Sequence, residues 1–446
     1  MLISTWSRYR LVLLLLLALA VMGNAVQASA AADSLQLEWL VRPESKTSPT
    51  SAVPTGEPWT LKRVIQKAGS YPAIRSKQAA KEAAKADLEG AEWQRYPTPG
   101  VQLGRDSHGA NTTTLSLEQP LWTGGRITAA IDAAEARHGA AGEGINESQQ
   151  EILLRVIAAY VEATREHSRQ EILIKQVRRQ ERLLEMIARR VQTEASPTVD
   201  RELAETRMHL AVTELSVGTQ AYNNAMTMLS ELAGEPVTQP MPVVVDAANL
   251  PPNQDTLLTE AVAQSPTLAR MKMEENAARA DVDSKRSVFW PQVVARYEST
   301  TSPASLGSDL QVHDSRMLMM LSSQVGAGLS NVSGLQSAQS RLRSLELDRE
   351  STVRDLRTSL NMDWDTLVAA RLRLRHAELS RSGTAEVFDS YTRQYVIGRK
   401  SWLDVMNAVR EDIQAELAVE DTQAEINVAT LRIQTRTNRL RMDPSQ

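Results

Sequence analysis

The chain contains no cysteine in 446 residues. That excludes disulfides and thiolate metal sites, and it excludes a lipid anchor carried on a cysteine. An excess of one charge is missing too. Fifty basic and 54 acidic residues leave a net charge of −4, without the basic footprint that nucleic acid requires. Beyond Met22 no apolar run is long enough for a transmembrane helix. Catalytic signatures are equally absent: no Gly-x-Ser-x-Gly elbow, no phosphate loop and no His-Glu-x-x-His. The six histidines are scattered. Glu205 and His209, one helical turn apart, come nearest to a metal pair and read as solvated or structural. We expect neither an enzyme nor a bound metal or cofactor.

Proline is the most informative gap. It is absent between Pro120 and Pro197, between Pro197 and Pro236, and between Pro303 and Pro444. Because proline breaks the helical ladder, these windows are where long helices run. They are rich in Ala, Leu, Glu, Arg and Gln, which favour helix. Apolar residues recur there at spacings of three and four, as in Ile152, Val156, Ala159, Ala163 and later Val177, Leu184, Ile187, Val191. One helix from Arg126 to Thr193 would be on the order of 100 Å long, beyond the width of a compact domain, and its apolar seam asks for a coiled-coil partner. Gly139, Gly142 and Gly144 mark a place for a local kink.

The N-terminus has the order of a secretory signal peptide: Arg8 and Arg10, an apolar run from Leu11 to Met22, then Ala28-Ser29-Ala30 as a small-residue cleavage site. Behind it the chain repeats itself. Tyr71-Pro72 and Tyr96-Pro97 each have a counterpart 194 residues on, at Ser265-Pro266 and Trp290-Pro291. Gln119 and Asp200 recur as Gln324 and Asp404, some 204 or 205 residues on. Two copies of a unit near 200 residues read as an internal duplication.

Within each copy a short non-helical stretch interrupts the helices. Thr98 to Asp106 and Asn111 to Gln119 alternate apolar and polar residues, as do Gln292 to Thr300 and Arg316 to Ser323. Each has about the nine to eleven residues that a tilted strand needs to cross a bilayer. The segments 107–110 and 301–315 read as hairpin loops. A soluble half-buried hairpin would show the same alternation. The aromatics decide. They make up only 4% of the chain, yet Trp93, Tyr96, Trp122, Phe289 and Trp290 gather where helix gives way to strand, with Tyr297 inside a strand. Trp and Tyr favour the membrane–water interface.

The signal peptide, the doubled order of helix, hairpin, long helix and helix, and the words QPLWTGGRI (Gln119 to Ile127) and YVIGRKSWLDVMNA (Tyr395 to Ala408) resemble the TolC family of outer-membrane factors. The resemblance spans roughly Glu57 to Leu440. It implies a mainly α fold with a small β part: long antiparallel coiled-coil helices forming an α-barrel, and two transmembrane β-hairpins per protomer that make a trimeric twelve-stranded barrel. It further implies an outer-membrane channel with a long periplasmic portion. Such a channel works in tripartite export with a periplasmic adaptor and an inner-membrane ATPase or proton-driven pump. By motif match, Tyr395 and Lys400 would constrain the periplasmic gate and Asp404 would form a selectivity ring. A second acid common in the family is Asn407 here, which halves the charge of that ring. The first copy departs further, with Val191 at the Tyr position and Glu194 at the Gly position. Asp404 also reads simply as a helix-capping residue near a turn.

The expected organisation is a signal peptide at 1–30, an extended lead-in at 31–58, a first repeat at 59–234, a proline-rich linker at 235–255, a second repeat at 256–440 and a tail at 441–446. The alternative reading is a periplasmic coiled-coil adaptor or scaffold without a barrel. Within the channel reading, VGAGLSN at Val325 to Asn331 and the missing lipid-anchor cysteine favour type I secretion, with small-molecule efflux as the other option.

Overall fold

A computed structural model describes residues 58–105, 111–243, 245, 250, 253–303, 311–323 and 330–442. The signal peptide, nearly all of the lead-in, Gln324, most of the VGAGLSN segment and most of the tail lie outside the described residues. The elements are α1 (Leu61–Ala68), α2 (Pro72–Trp93), β1 (Thr98–Arg105), β2 (Asn111–Trp122), α3 (Arg126–Gln192), α4 (Thr198–Ala233), α5 (Gln254–Gln264), α6 (Pro266–Ser287), β3 (Gln292–Pro303), β4 (Gln311–Ser322), α7 (Ser330–Val396) and α8 (Trp402–Arg436). The fold is mainly helical with one small antiparallel sheet.

The proline gaps do hold the long helices. Helices α3 and α7 have 67 residues each, about 100 Å at 1.5 Å per residue. α3 runs unbroken through Gly139, Gly142 and Gly144. Pro72 and Pro266 open α2 and α6 at their first turns, where the missing N–H costs nothing. Each of these helices has 22 residues.

α3 is the spine. Its upper part packs against α2 and α6, and its lower part against α4 and α8; α7 lies along α8. The seam expected from spacing is where α3 buries itself: Ile152, Val156, Ala159, Ala163 and Ile187 are buried, while Val177, Leu184 and Val191 are half-buried. A central apolar cluster joins these residues to Trp59, Val64, Leu229, Val237 and Leu431. There the Tyr160 hydroxyl lies 2.7 Å from the Trp59 carbonyl and 2.8 Å from that of Met241. Those two carbonyls belong to the segment before α1 and the linker after α4, which also pair through a bridge between Trp59 and Pro240. Pro236, Pro240 and Pro242 keep the linker out of helix.

Between its two apolar clusters the α3–α8 contact is ionic. Arg165 and Arg169 face Asp421, and Arg179 pairs with the buried Asp412. Higher up, Gln150 donates to the Thr435 carbonyl at 3.1 Å.

The four strands form one antiparallel sheet in the order β1-β2-β3-β4. Two boundaries differ from expectation. The stretch from Thr301 to Ser315 was expected to be loop, yet Thr301 pairs with His313 and Ser302 with Val312. Apolar alternation stops there, but the backbone ladder does not depend on it, and Thr and Val suit a pleated strand. β2 also continues past Gln119 to Trp122, with a bulge between Pro120 and Trp122. Pro120 has no N–H for the ladder, so the register shifts at that point.

Candidate functional site

Period two sorts the sheet into two unlike faces. One carries Val101, Leu103, Leu115, Leu117, Tyr297, Met317, Met319 and Leu321, and all are exposed. Cross-strand register puts Leu117, Tyr297 and Met317 in a single row. The other face is mixed: Val294, Leu318 and Met320 lie on it, buried or half-buried, beside a row of paired charges. Glu118, Arg296, Glu298 and Arg316 form a ladder of alternating charge across three strands, with Arg296–Glu118 at 2.7 Å and Arg316–Glu298 at 2.8 Å. Beyond it the Thr114 and Thr300 hydroxyls meet at 3.2 Å. A sheet whose exposed face is apolar, and whose charges pair on the other, is the reverse of a soluble half-buried sheet, whose apolar face is covered.

The five aromatics named from the sequence lie at the helix–strand junctions. Trp93 is 67% exposed, Tyr96 57%, Trp122 46%, Phe289 37% and Trp290 57%. Trp93 and Tyr96 stack on each other at 5.2 Å, and none of the five is buried inside the protomer. The words QPLWTGGRI have a backbone cause. Gly124 and Gly125 both adopt positive φ, +61° and +91°, to turn the chain from β2 into α3. A Cβ on Gly124 would stand 2.6 Å from the Trp290 Cβ, so only glycine lets the two junctions meet.

The opposite end of the long helices is made by two turns, Thr193–Pro197 between α3 and α4 and Ile397–Ser401 between α7 and α8. They have the same shape, because Gly398 takes φ +76° and Glu194 takes φ +57° at the corresponding place. Tyr395 is buried. Its hydroxyl lies 3.0 Å from the Ser196 Oγ of the other turn, and its ring stacks on the buried Trp402 at 5.1 Å. Arg190 completes this node. It donates to the Val396 carbonyl at 3.3 Å and to Ser196 Oγ at 3.3 Å, and its guanidinium stands 4.9 Å from the Tyr395 ring. Val396 ends α7, so its carbonyl has no intrahelical partner and Arg190 supplies one. Beneath the node Ile187, Ala204, Val405, Met406 and Val409 are buried together.

Lys400 sits over the Tyr391 ring, its Nζ 4.1 Å from the centroid. Asp404 closes a capping box: its carboxylate accepts from the Ser401 N–H at 3.1 Å and from Ser401 Oγ at 2.8 Å. Those two donors, with the Lys400 charge nearby, hold its carboxyl below the usual aspartate range. Asp200, at the matching place in the first turn, moves the other way, because burial raises it. Asn407 accepts from Arg410 at 3.3 Å. Of the distant pair considered for metal, Glu205 is bound to Arg201 at 3.1 Å.

Sequence reasoning thus named Tyr395, Lys400, Asp404 and Asn407, which lie within one end of the bundle, but missed Arg190 and Ser196. The available signal for Arg190 was a basic residue in the last turn of a helix, where free carbonyls attract it.

Long helices capped by a small antiparallel sheet of this kind are the architecture of the outer-membrane factor channels. The profile of the outer membrane efflux protein family matches residues 65–235 and 257–442, and the chain belongs to that family; its place is the outer membrane. Among its relatives, the outer membrane efflux protein BepC of Brucella suis is 20% identical over 352 residues, 77% of this chain and 75% of BepC. The alkaline protease secretion protein AprF of Pseudomonas aeruginosa is 22% identical over 305 residues, 66% of this chain and 63% of AprF. The solved outer membrane protein VceC of Vibrio cholerae superposes with a TM-score of 0.75 at 16% identity, covering 84% of this chain and 95% of that one. The proteins it resembles are efflux, secretion and channel proteins rather than enzymes.

Proposed function

We propose that three copies of this chain assemble into one outer-membrane channel that passes cargo outward without chemistry. The observation that carries this is the sheet: β1 and β4 are its edges, and its exposed apolar face is of the kind that meets lipid. An edge left open in lipid strands N–H and C=O groups at several kcal/mol each. Closure against neighbouring copies removes the edges, and three copies of four strands make twelve. The apolar row of Leu117, Tyr297 and Met317 then faces lipid, the Glu118–Arg316 ladder faces the lumen, and the junction aromatics sit at the interface.

The long helices extend from that barrel into the periplasm as a tunnel, and the two turns at their far end form its mouth. Tyr395, Lys400, Asp404 and Asn407 belong to that mouth. The node of Arg190, Ser196 and Tyr395 keeps the two turns of one protomer together, which suits a tunnel closed at rest. The partners are a periplasmic adaptor and an inner-membrane ATPase or proton-driven pump, in type I protein secretion or small-molecule efflux. Residues 1–30 direct export, and residues 59–234 and 256–440 are two copies of one unit. The adaptor or scaffold alternative is not favoured, since the chain belongs to a channel family.

Protein extracted from the outer membrane in detergent should have the mass of three chains by light scattering and give discrete conductance steps in a planar lipid bilayer. A monomer that stays dispersed without detergent and never conducts would overturn the channel reading.

A further inference from the structure

The first turns of α8 present an exposed arc that carries more than Asp404. Leu403, Arg410, Glu411 and Gln414 are exposed on it and Asn407 is half-exposed. Arg410 lies six residues beyond Asp404, about 9 Å along the helix axis. The two charges are held differently. The Asp404 carboxylate is engaged by both donors of Ser401 at the helix N-terminus, which compensates much of its charge locally. Arg410 leans on a neutral acceptor, Asn407 Oδ1 at 3.3 Å, and among the described residues no carboxylate comes within ion-pair distance of it. Its charge is therefore not neutralised by an ion pair within the protomer. Glu411 follows on the same arc, so one arginine stands between acids at 404 and 411.

We propose that Arg410 is a specificity-determining residue of the tunnel mouth, a cationic counterweight that keeps the passage from becoming strongly cation-selective. This rests on the reading that α8 lines the mouth. Three copies around an axis make a ring of three guanidinium groups about one to two helical turns from the Asp404 level, which an ion must pass on the same path. In a narrow water-filled passage such rings set which ion is admitted. The mouth then tolerates anionic as well as cationic cargo, unlike one lined by acids alone.

The test is the zero-current potential of the full-length channel in planar bilayers across a potassium chloride gradient, for the wild type, Arg410→Gln, Arg410→Lys and Asp404→Asn. Asparagine at 404 keeps an acceptor for Ser401 and so spares the cap. Arg410→Gln should raise the potassium-to-chloride permeability ratio by about twofold or more. Arg410→Lys should hold the wild-type ratio, and Asp404→Asn should lower it. If Asp404→Asn moves the ratio and Arg410→Gln does not, the Arg410 proposal fails and the mouth stays where it was placed. If neither moves the ratio of a conducting channel, the placement of the mouth falls and takes the proposal with it. Arg410→Met, which keeps the aliphatic stem, repeats the measurement if the glutamine variant does not assemble.

Discussion

Removing the Arg190 side chain leaves the two tip turns of a protomer joined by little more than one hydroxyl pair and the apolar cluster below. Arg190→Ala loses the hydrogen bonds to the Val396 carbonyl and to Ser196, and the stacking on Tyr395. The site is partly exposed, so these contacts together are worth about 1–2 kcal/mol. Tyr395→Phe loses only the contact with Ser196 Oγ, about 1 kcal/mol. The residues share partners, so the double variant costs less than the sum, about 2 kcal/mol per protomer. That is roughly a thirtyfold gain in the population with the turns apart. Ile187, Val405 and Val409 remain buried beneath them, so the bundle loosens at its end without unfolding. In planar bilayers the double variant should show larger conductance steps or a larger open fraction than the wild type, with Arg190→Ala intermediate. Cells carrying it should admit bulky solutes that the wild type excludes. Wild-type conductance in both Arg190→Ala and the double variant would refute the assignment of this node as the latch.

The Tyr160 phenol is buried and pushed up to about 12 by that burial. The unfolded chain therefore loses this proton first as pH rises, and about 2–3 kcal/mol of stability present below pH ~10 is lost by pH ~12; in alkaline unfolding, Tyr160→Phe should lack this loss relative to the wild type. Gly124→Ala combines a left-handed backbone with a contact 2.6 Å from the Trp290 Cβ. It should cost about 2 kcal/mol or more, read as a lower unfolding temperature of the protein in detergent. Glu194→Gly relieves a side chain from φ +57° and should stabilise by about 0.5–1 kcal/mol, raising that temperature slightly.

The helices were legible because proline and apolar spacing act locally: a helix must lack the one residue and place the other every three or four positions. The ends found from that rule, Arg126 and Thr193, differ from the observed α3 by one residue at most. The sheet was less legible at its far end. Ladder hydrogen bonds are made by backbone, so β4 starts at Gln311, five residues before its alternation announces it. At the tip, Tyr395, Lys400 and Asp404 came from a motif, whereas Glu194 read as a departure from it and only its backbone shows that the two turns match. Arg190 could not come from either source. Apart from the nearby Ser196 hydroxyl, its partners are a main-chain carbonyl and a ring some 200 residues away, so a basic residue in a last helical turn is all the local sequence shows.

The two turns show why equal position does not mean equal chemistry. Asp200 and Asp404 occupy corresponding third positions in α4 and α8, yet burial raises one carboxyl and hydrogen bonds lower the other. The largest part of the lowering at Asp404 comes from one neighbour. Ser401 caps α8 with its hydroxyl and N–H and gives Asp404 two donors, whereas Pro197 at the same place before α4 has neither a side-chain hydroxyl nor an N–H to offer. The first turn is thereby deprived of an anchored anion and contributes Ser196 and Arg190 to the second instead. One turn supplies the fixed negative charge and the other the donors that hold the pair together.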